Sequence, residues 1–137
     1  MGQLVNGIWK EGSVLTSDQK GNYNRANSLF RNTISNESKY LPESNRYHLY
    51  VSYACPWAHR VLIMRELKKL NKHISVDVVH PDMLNKGWSF YKNFPGTTGD
   101  RLNKKQYLHE IYQTHQKKLT SKVTVPVLWD KKTNTIV

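Results

Sequence analysis

The chain has one cysteine, Cys55, and it stands where a strand-like run meets a helix-like run. That junction constrains the fold more than any other feature. Arg46-Tyr47-His48-Leu49-Tyr50-Val51-Ser52 reads as a strand, and Pro56 to Leu70 reads as a helix. Pro56 suits the first helical position, where its missing N–H costs nothing. The first turn of a helix offers unpaired backbone N–H groups and the positive end of the macrodipole. Both favour a thiolate, and cysteines so placed reach pKa values of about 3.5–7.5 against about 8.5 for a free thiol. His59 and Arg60 add positive charge nearby. The competing reading is a structural cysteine, since free cysteine is among the most buried residue types. The strand–Cys–Pro–helix context favours a functional thiol instead. Position 58 is Ala, so Cys55 has no C-x-x-C partner and cannot close a local disulfide. Redox chemistry at Cys55 therefore requires a thiol from outside the chain.

Periodicity extends the pattern. Strand one spans about 47–52 and helix one about 56–70, with Ala58, Val61, Leu62, Met64 and Leu67 as its apolar band. Ile74-Ser75-Val76-Asp77-Val78-Val79 alternates and is β-branched, which predicts strand two. Pro81 ends it. A loop of about twenty residues follows, and loops that long in a compact domain are usually functional. It contains Gly87-Trp88 and Gly96-Thr97-Thr98-Gly99. Helix two is predicted over 102–118. Leu108, Ile111, Tyr112, His115 and Leu119 recur at helical spacing there, so His115 reads as a core-face residue rather than a ligand. Strands 125–129 and 135–137 flank Asp130-Lys131-Lys132-Thr133-Asn134 as a hairpin. The order β-α-β-α-β-β predicts a thioredoxin-like α/β domain over residues 46–137. Its sheet is mixed, and its first two strands are parallel with a right-handed crossover. Residues 1–45 are polar and turn-rich. They read as an extension packed on the domain, with Tyr23-Asn24-Arg25 and Leu29-Phe30-Arg31 as short anchors.

Length and charge narrow the function. A chain of 137 residues suits one domain with its own core. No apolar run approaches the 18 or so residues that span a membrane, and Met1 to Lys10 lacks the apolar stretch of a signal peptide. One cysteine excludes an internal disulfide framework, and a reducing cytoplasm is the expected compartment. The net charge of +11 is compatible with a nucleic-acid binder. However, the lysines fall in separate pairs (Lys68-Lys69, Lys104-Lys105, Lys117-Lys118, Lys131-Lys132) without a continuous stripe or a recognition motif. The six histidines lack metal-ligand spacing, so no metal is expected. Phosphate-loop and dinucleotide-binding glycine motifs are absent from the sequence.

The strand followed by Ala54-Cys55-Pro56-Trp57-Ala58-His59-Arg60 closely resembles the glutathionyl-hydroquinone reductases, which are Xi-class glutathione transferases related to the omega class. The likeness continues through Gly87-Trp88-Ser89-Phe90, Phe94-Pro95-Gly96, Thr98-Gly99-Asp100 and Val123-Thr124-Val125-Pro126-Val127-Leu128-Trp129-Asp130. Met1-Gly2-Gln3-Leu4 and Gly7-Ile8-Trp9 are similar to that family's amino end. The motifs keep the family's order along nearly the whole chain.

The resemblance implies glutathione as co-substrate and Cys55 as the catalytic thiol. It implies glutathione contacts from Trp88, Lys122, Val125 and Pro126, with the Val125–Pro126 bond cis. Lys122 stands where the family commonly has Arg, which keeps the charge without the bidentate fork. Tyr53, Pro56 and Trp57 are candidate pocket residues. Tyr53 replaces the Leu more common in the family, and Trp57 is expected to pack inward. The implied partners are glutathione and a quinone–glutathione conjugate, with a homodimer for the full-length form. Measured against the family, the chain stops before the last helix of the thioredoxin-like unit and before an all-helical second domain. Weak or no activity, and self-association, are therefore expected of this chain alone. A monothiol glutaredoxin-like deglutathionylase and a non-catalytic basic nucleic-acid-binding module are the alternatives.

Overall fold

The computed structural model describes residues 2–12, 16–17, 20–24 and 27–137. In chain order its strands and helices are β1 (Gly2–Val5), β2 (Ile8–Glu11), β3 (Thr16–Ser17), β4 (Tyr23–Asn24), β5 (Tyr47–Val51), α1 (Pro56–Leu67), β6 (Ile74–Val78), α2 (Leu108–His115), β7 (Ser121–Lys122), β8 (Val127–Asp130) and β9 (Thr135–Ile136). The central sheet runs β6-β5-β8-β9, with β5 and β6 parallel and the other pairs antiparallel. This is the thioredoxin-like mixed sheet that the sequence predicts.

The β5 strand is buried at all five positions because both faces of the sheet are covered. Leu49 and Val51 meet Ala58, Val61 and Leu62 of α1 on one face. On the other, Tyr50 joins Trp88, Phe90, Leu108, Ile111, Tyr112, Val127 and Trp129.

Several boundaries differ from expectation. Helix one ends at Leu67 rather than 70, because Lys69 takes a left-handed conformation (φ 56°) before a short 3-10 turn at Leu70–Lys72. The largest difference is helix two, which spans Leu108–His115 and not 102–118. The left-handed Lys104 (φ 59°) prevents an earlier start, and Asp100 fixes the turn before it. Its carboxylate accepts the amides of Leu102, Asn103 and Lys105 and the hydroxyl of Tyr50, which fixes residues 100–105 as a turn. Glu110 then caps the helix by accepting the amides of Gln106 and Tyr107. At the far end Gln116 is extended, and the chain turns to bury Leu119. His115 packs against Phe30, and its Nδ1 accepts the amide of Ile136 at 3.0 Å. Of the Leu29-Phe30-Arg31 anchor, only Phe30 packs on the core, edge-on to Tyr112. Arg25 lies outside the described residues, as do the side chains of Tyr23 and Asn24.

The amino-terminal hairpin joins the core. β1 pairs with β2 and, on its other edge, with β7, where Gln3 lies opposite Lys122. The two-residue turn is Asn6-Gly7, both with positive φ (50° and 76°), as a primed hairpin turn requires. A Cβ on Gly7 would collide with the Lys117 carbonyl oxygen. Leu4 enters the main apolar cluster with no exposed surface.

Two buried carboxylates brace the sheet. Asp77 of β6 accepts the Arg101 amide at 2.7 Å and its guanidinium at 2.6 Å, with His48 Nε2 3.3 Å away. Asp130 of β8 accepts Arg46 through both oxygens, at 2.9 and 2.6 Å. Burial pushes the Asp77 carboxyl group up, but the nearby His48 Nε2 and the hydrogen bonds from Arg101 outweigh it and hold it at about 2. Burial likewise raises Asp130, and Arg46, Thr133 and the Lys132 amide hold it at about 2. Both folded-state values lie below the ordinary 3.8. The unfolded chain therefore binds protons first, and the stabilisation is present above about pH 4 and lost as pH falls toward 2. Denaturant midpoints measured across that window should fall steeply, and Asp77→Asn and Asp130→Asn should each flatten the fall. An unchanged slope in both variants would show that these carboxylates do not set the acid response.

Candidate active site

Cys55 caps the amino end of α1 in an extended conformation, with Pro56 as the first helical residue. Its amide donates to the Ser52 carbonyl at 3.1 Å, which fixes the bend between strand and helix. The thiol is half-buried and donates to the Val125 carbonyl oxygen at 3.5 Å. The Val125–Pro126 bond is cis, as the resemblance implies.

A cleft of about 180 Å³ opens beside the thiol. It gathers Cys55, Trp57, Trp88, Lys122 and Val125 from positions spread over 71 residues, together with Thr124 and Met83. Trp88 is both wall and core. It is buried in the main cluster, and its carbonyl accepts the amide of Leu108 at the start of α2. Lys122 reaches the cleft from β7.

Other expected site residues lie elsewhere. Pro126 lines a second cavity, about 570 Å³, on the α1 side of the sheet with Val61, Met64 and Leu128. Tyr53 is 66% exposed with its ring against Gly96, and neither it nor Pro56 lines the cleft beside the thiol. Trp57 corrects the expectation that it packs inward. It is 60% exposed and lines the cleft, with the Arg60 guanidinium 5.5 Å above its ring. Ala58 occupies the position that faces the sheet, so its neighbour Trp57 points away.

Sequence reasoning missed Trp9. This residue reaches the cleft from β2, next to Gly2 and Gly87. Its available signal was the Asn6-Gly7 dipeptide, which predicts a hairpin that folds back. Among the described residues, no group of three His, Cys, Asp or Glu could hold a metal ion. No described helix is long and apolar enough to cross a membrane.

A strand-to-helix thiol facing a cis-proline loop on a thioredoxin-like sheet defines a monothiol, glutathione-transferase type of domain. The chain belongs to the family of glutathione S-transferase N-terminal domains, whose model matches residues 54–137. It is 47% identical over 145 residues to glutathionyl-hydroquinone reductase YqjG of Escherichia coli, covering 100% of this chain and 44% of that protein. It is 41% identical over 133 residues to glutathionyl-hydroquinone reductase PcpF of Sphingobium chlorophenolicum, covering 96% of this chain and 41% of the relative. Among solved structures, the Xi-class glutathione transferase of Natrialba magadii superposes with a TM-score of 0.85 at 42% identity, over all of this chain and 41% of that one. The glutathione-bound structure of YqjG superposes with a TM-score of 0.78 at 44% identity, over 98% of this chain and 41% of that one. The chain thus spans less than half the length of these relatives.

Proposed function

We propose that this chain supplies the glutathione-binding half of a glutathionyl-hydroquinone reductase, with Cys55 as its nucleophile. The observation that carries the reading is the convergence of the half-buried thiol, Trp88, Lys122 and the Val125 backbone on one cleft. The Cys55 sulfur attacks the glutathione sulfur of a glutathionyl-hydroquinone. The carbon–sulfur bond breaks, and its electron pair with one proton goes to the ring carbon, so the free hydroquinone leaves. Cys55 is then joined to glutathione as a mixed disulfide. A second glutathione thiolate attacks that disulfide at the glutathione sulfur, releasing oxidised glutathione and the Cys55 thiolate. The exchange needs no second cysteine, since the resolving thiol is external.

Lys122 holds a glutathione carboxylate in this scheme, Trp88 packs on the tripeptide, and the Val125 backbone pairs with its cysteinyl unit. The quinone conjugate is the second substrate. A homodimer is the assembly we assign to a full-length form. A reducing cytoplasm suits a site that depends on one free thiol.

The test is turnover. With glutathionyl-menadiol and glutathione, the protein should release one menadiol for each oxidised glutathione formed, at a rate above the uncatalysed exchange. Turnover of glutathionylated peptides but not of glutathionyl-menadiol would replace this reading with the deglutathionylase one.

A further inference from the structure

The Cys55 cleft has a wall that comes from the amino-terminal hairpin. The indole of Trp9 lies directly on two glycines. A Cβ on Gly2 would come within 2.5 Å of its Cζ2, and a Cβ on Gly87 within 2.8 Å of its Cη2. Only glycine lets the ring approach so closely at both positions, and Gly87 also has a positive φ of 75°. The indole Nε1 donates to the Asn85 carbonyl oxygen at 2.9 Å. Trp9 is thereby fastened to the loop that carries Trp88.

Behind Trp9 stands His109 of α2. The two rings stack with centroids 4.7 Å apart and planes at 19°. His109 is itself stacked on Tyr107 at 5.3 Å and 8°, and its Nδ1 donates to the Lys86 carbonyl oxygen at 3.2 Å. Burial lowers the pKa of this imidazole, against a partial opposing pull from the Lys86 carbonyl and Glu110. The hairpin is held from the other side as well. The Gly7 amide donates to the Leu119 carbonyl, and β1 pairs with β7, the strand of Lys122. Trp9 therefore bridges the two segments that supply Trp88 and Lys122.

We propose that Trp9 is a wall of the glutathione site and that His109 is the positioning residue that holds its indole in place. The proposal rests on reading the cleft as the glutathione site. A flat ring at 109 fixes the plane of the indole, and the indole fixes the width of the cleft between the Trp88 loop and β7. Losing the stack loosens the site for its ligand without touching the thiol.

The probe is oxidised glutathione, and the readout is the rate of mixed-disulfide formation on Cys55 by intact mass, measured against probe concentration. Trp9→Leu and His109→Leu should raise the half-saturating concentration by about two- to tenfold, the range that aromatic stacking energies correspond to. The limiting rate at saturation should change less than that. His109→Phe keeps a flat ring and should restore half-saturation to within about twofold of the parent chain, as stacking requires. The proposal is overturned if His109→Leu leaves half-saturation unaltered, or if His109→Phe is as impaired as His109→Leu. If His109→Leu does not fold, an unaltered half-saturation in Trp9→Leu overturns it equally. A parent chain that forms no adduct at all would instead sink the glutathione reading itself.

Discussion

Cys55→Ser should abolish glutathione adduct formation and all thiol transfer. Incubated with oxidised glutathione and weighed intact, the parent chain is expected to gain one glutathione and the variant none. The loss is complete rather than graded because Cys55 is the only cysteine in the sequence. A serine hydroxyl stays protonated near neutral pH and cannot join a disulfide. Exchange needs a thiolate attacking sulfur. The substitution is gentle on the fold, since the half-buried sulfur makes one long hydrogen bond, 3.5 Å to the Val125 carbonyl. Loss of activity is therefore separable from loss of structure, and an unchanged urea midpoint would establish that. A Cys55→Ser chain that still gains glutathione would refute a thiol mechanism.

Leu4→Ala lowers stability by about 2–5 kcal/mol, the usual cost of emptying a buried leucine site. That is a large part of the roughly 5–15 kcal/mol margin of a typical domain. Leu4 has no exposed surface and belongs to the same cluster as Tyr50, Leu108 and Trp129. Its strand is held on both edges, by β2 and by β7, so the cavity cannot easily collapse. The measurement is the urea midpoint at constant slope. A change below about 0.5 kcal/mol, the level of an ordinary surface substitution, would mean that the hairpin sits on the core without sharing it. The exposed Ile8, 60% accessible on the neighbouring strand, is the matched control.

The two predictions divide along what is local and what is not. Cys55 was legible because its chemistry follows from neighbours in sequence. A strand before it, Pro56 after it and the start of a helix are all readable within a dozen residues. The parallel β5–β6 pair was legible for the same reason, since two alternating apolar runs with a helical run between them admit few topologies. The residues that complete the site were not. The apolar band of α1 put Ala58 toward the sheet, and its helical neighbour Trp57 cannot share that face, yet only the cleft shows where the indole goes. Helix two looked longer at its carboxyl end because apolar spacing continued to Leu119. Its true start is set by the left-handed Lys104, φ 59°, which apolar spacing does not reveal.

Trp9 is the extreme case. Its partners Gly87, Asn85 and His109 lie 76 to 100 positions away, so each contact exists only in the folded chain. The sequence alone determined the alternation of strand and helix and singled out the thiol we propose as nucleophile, because backbone periodicity and helix-end geometry act over a few residues. Only the tertiary structure decided which side chains meet that nucleophile. Burial and close packing depend on what distant segments bring to the same point.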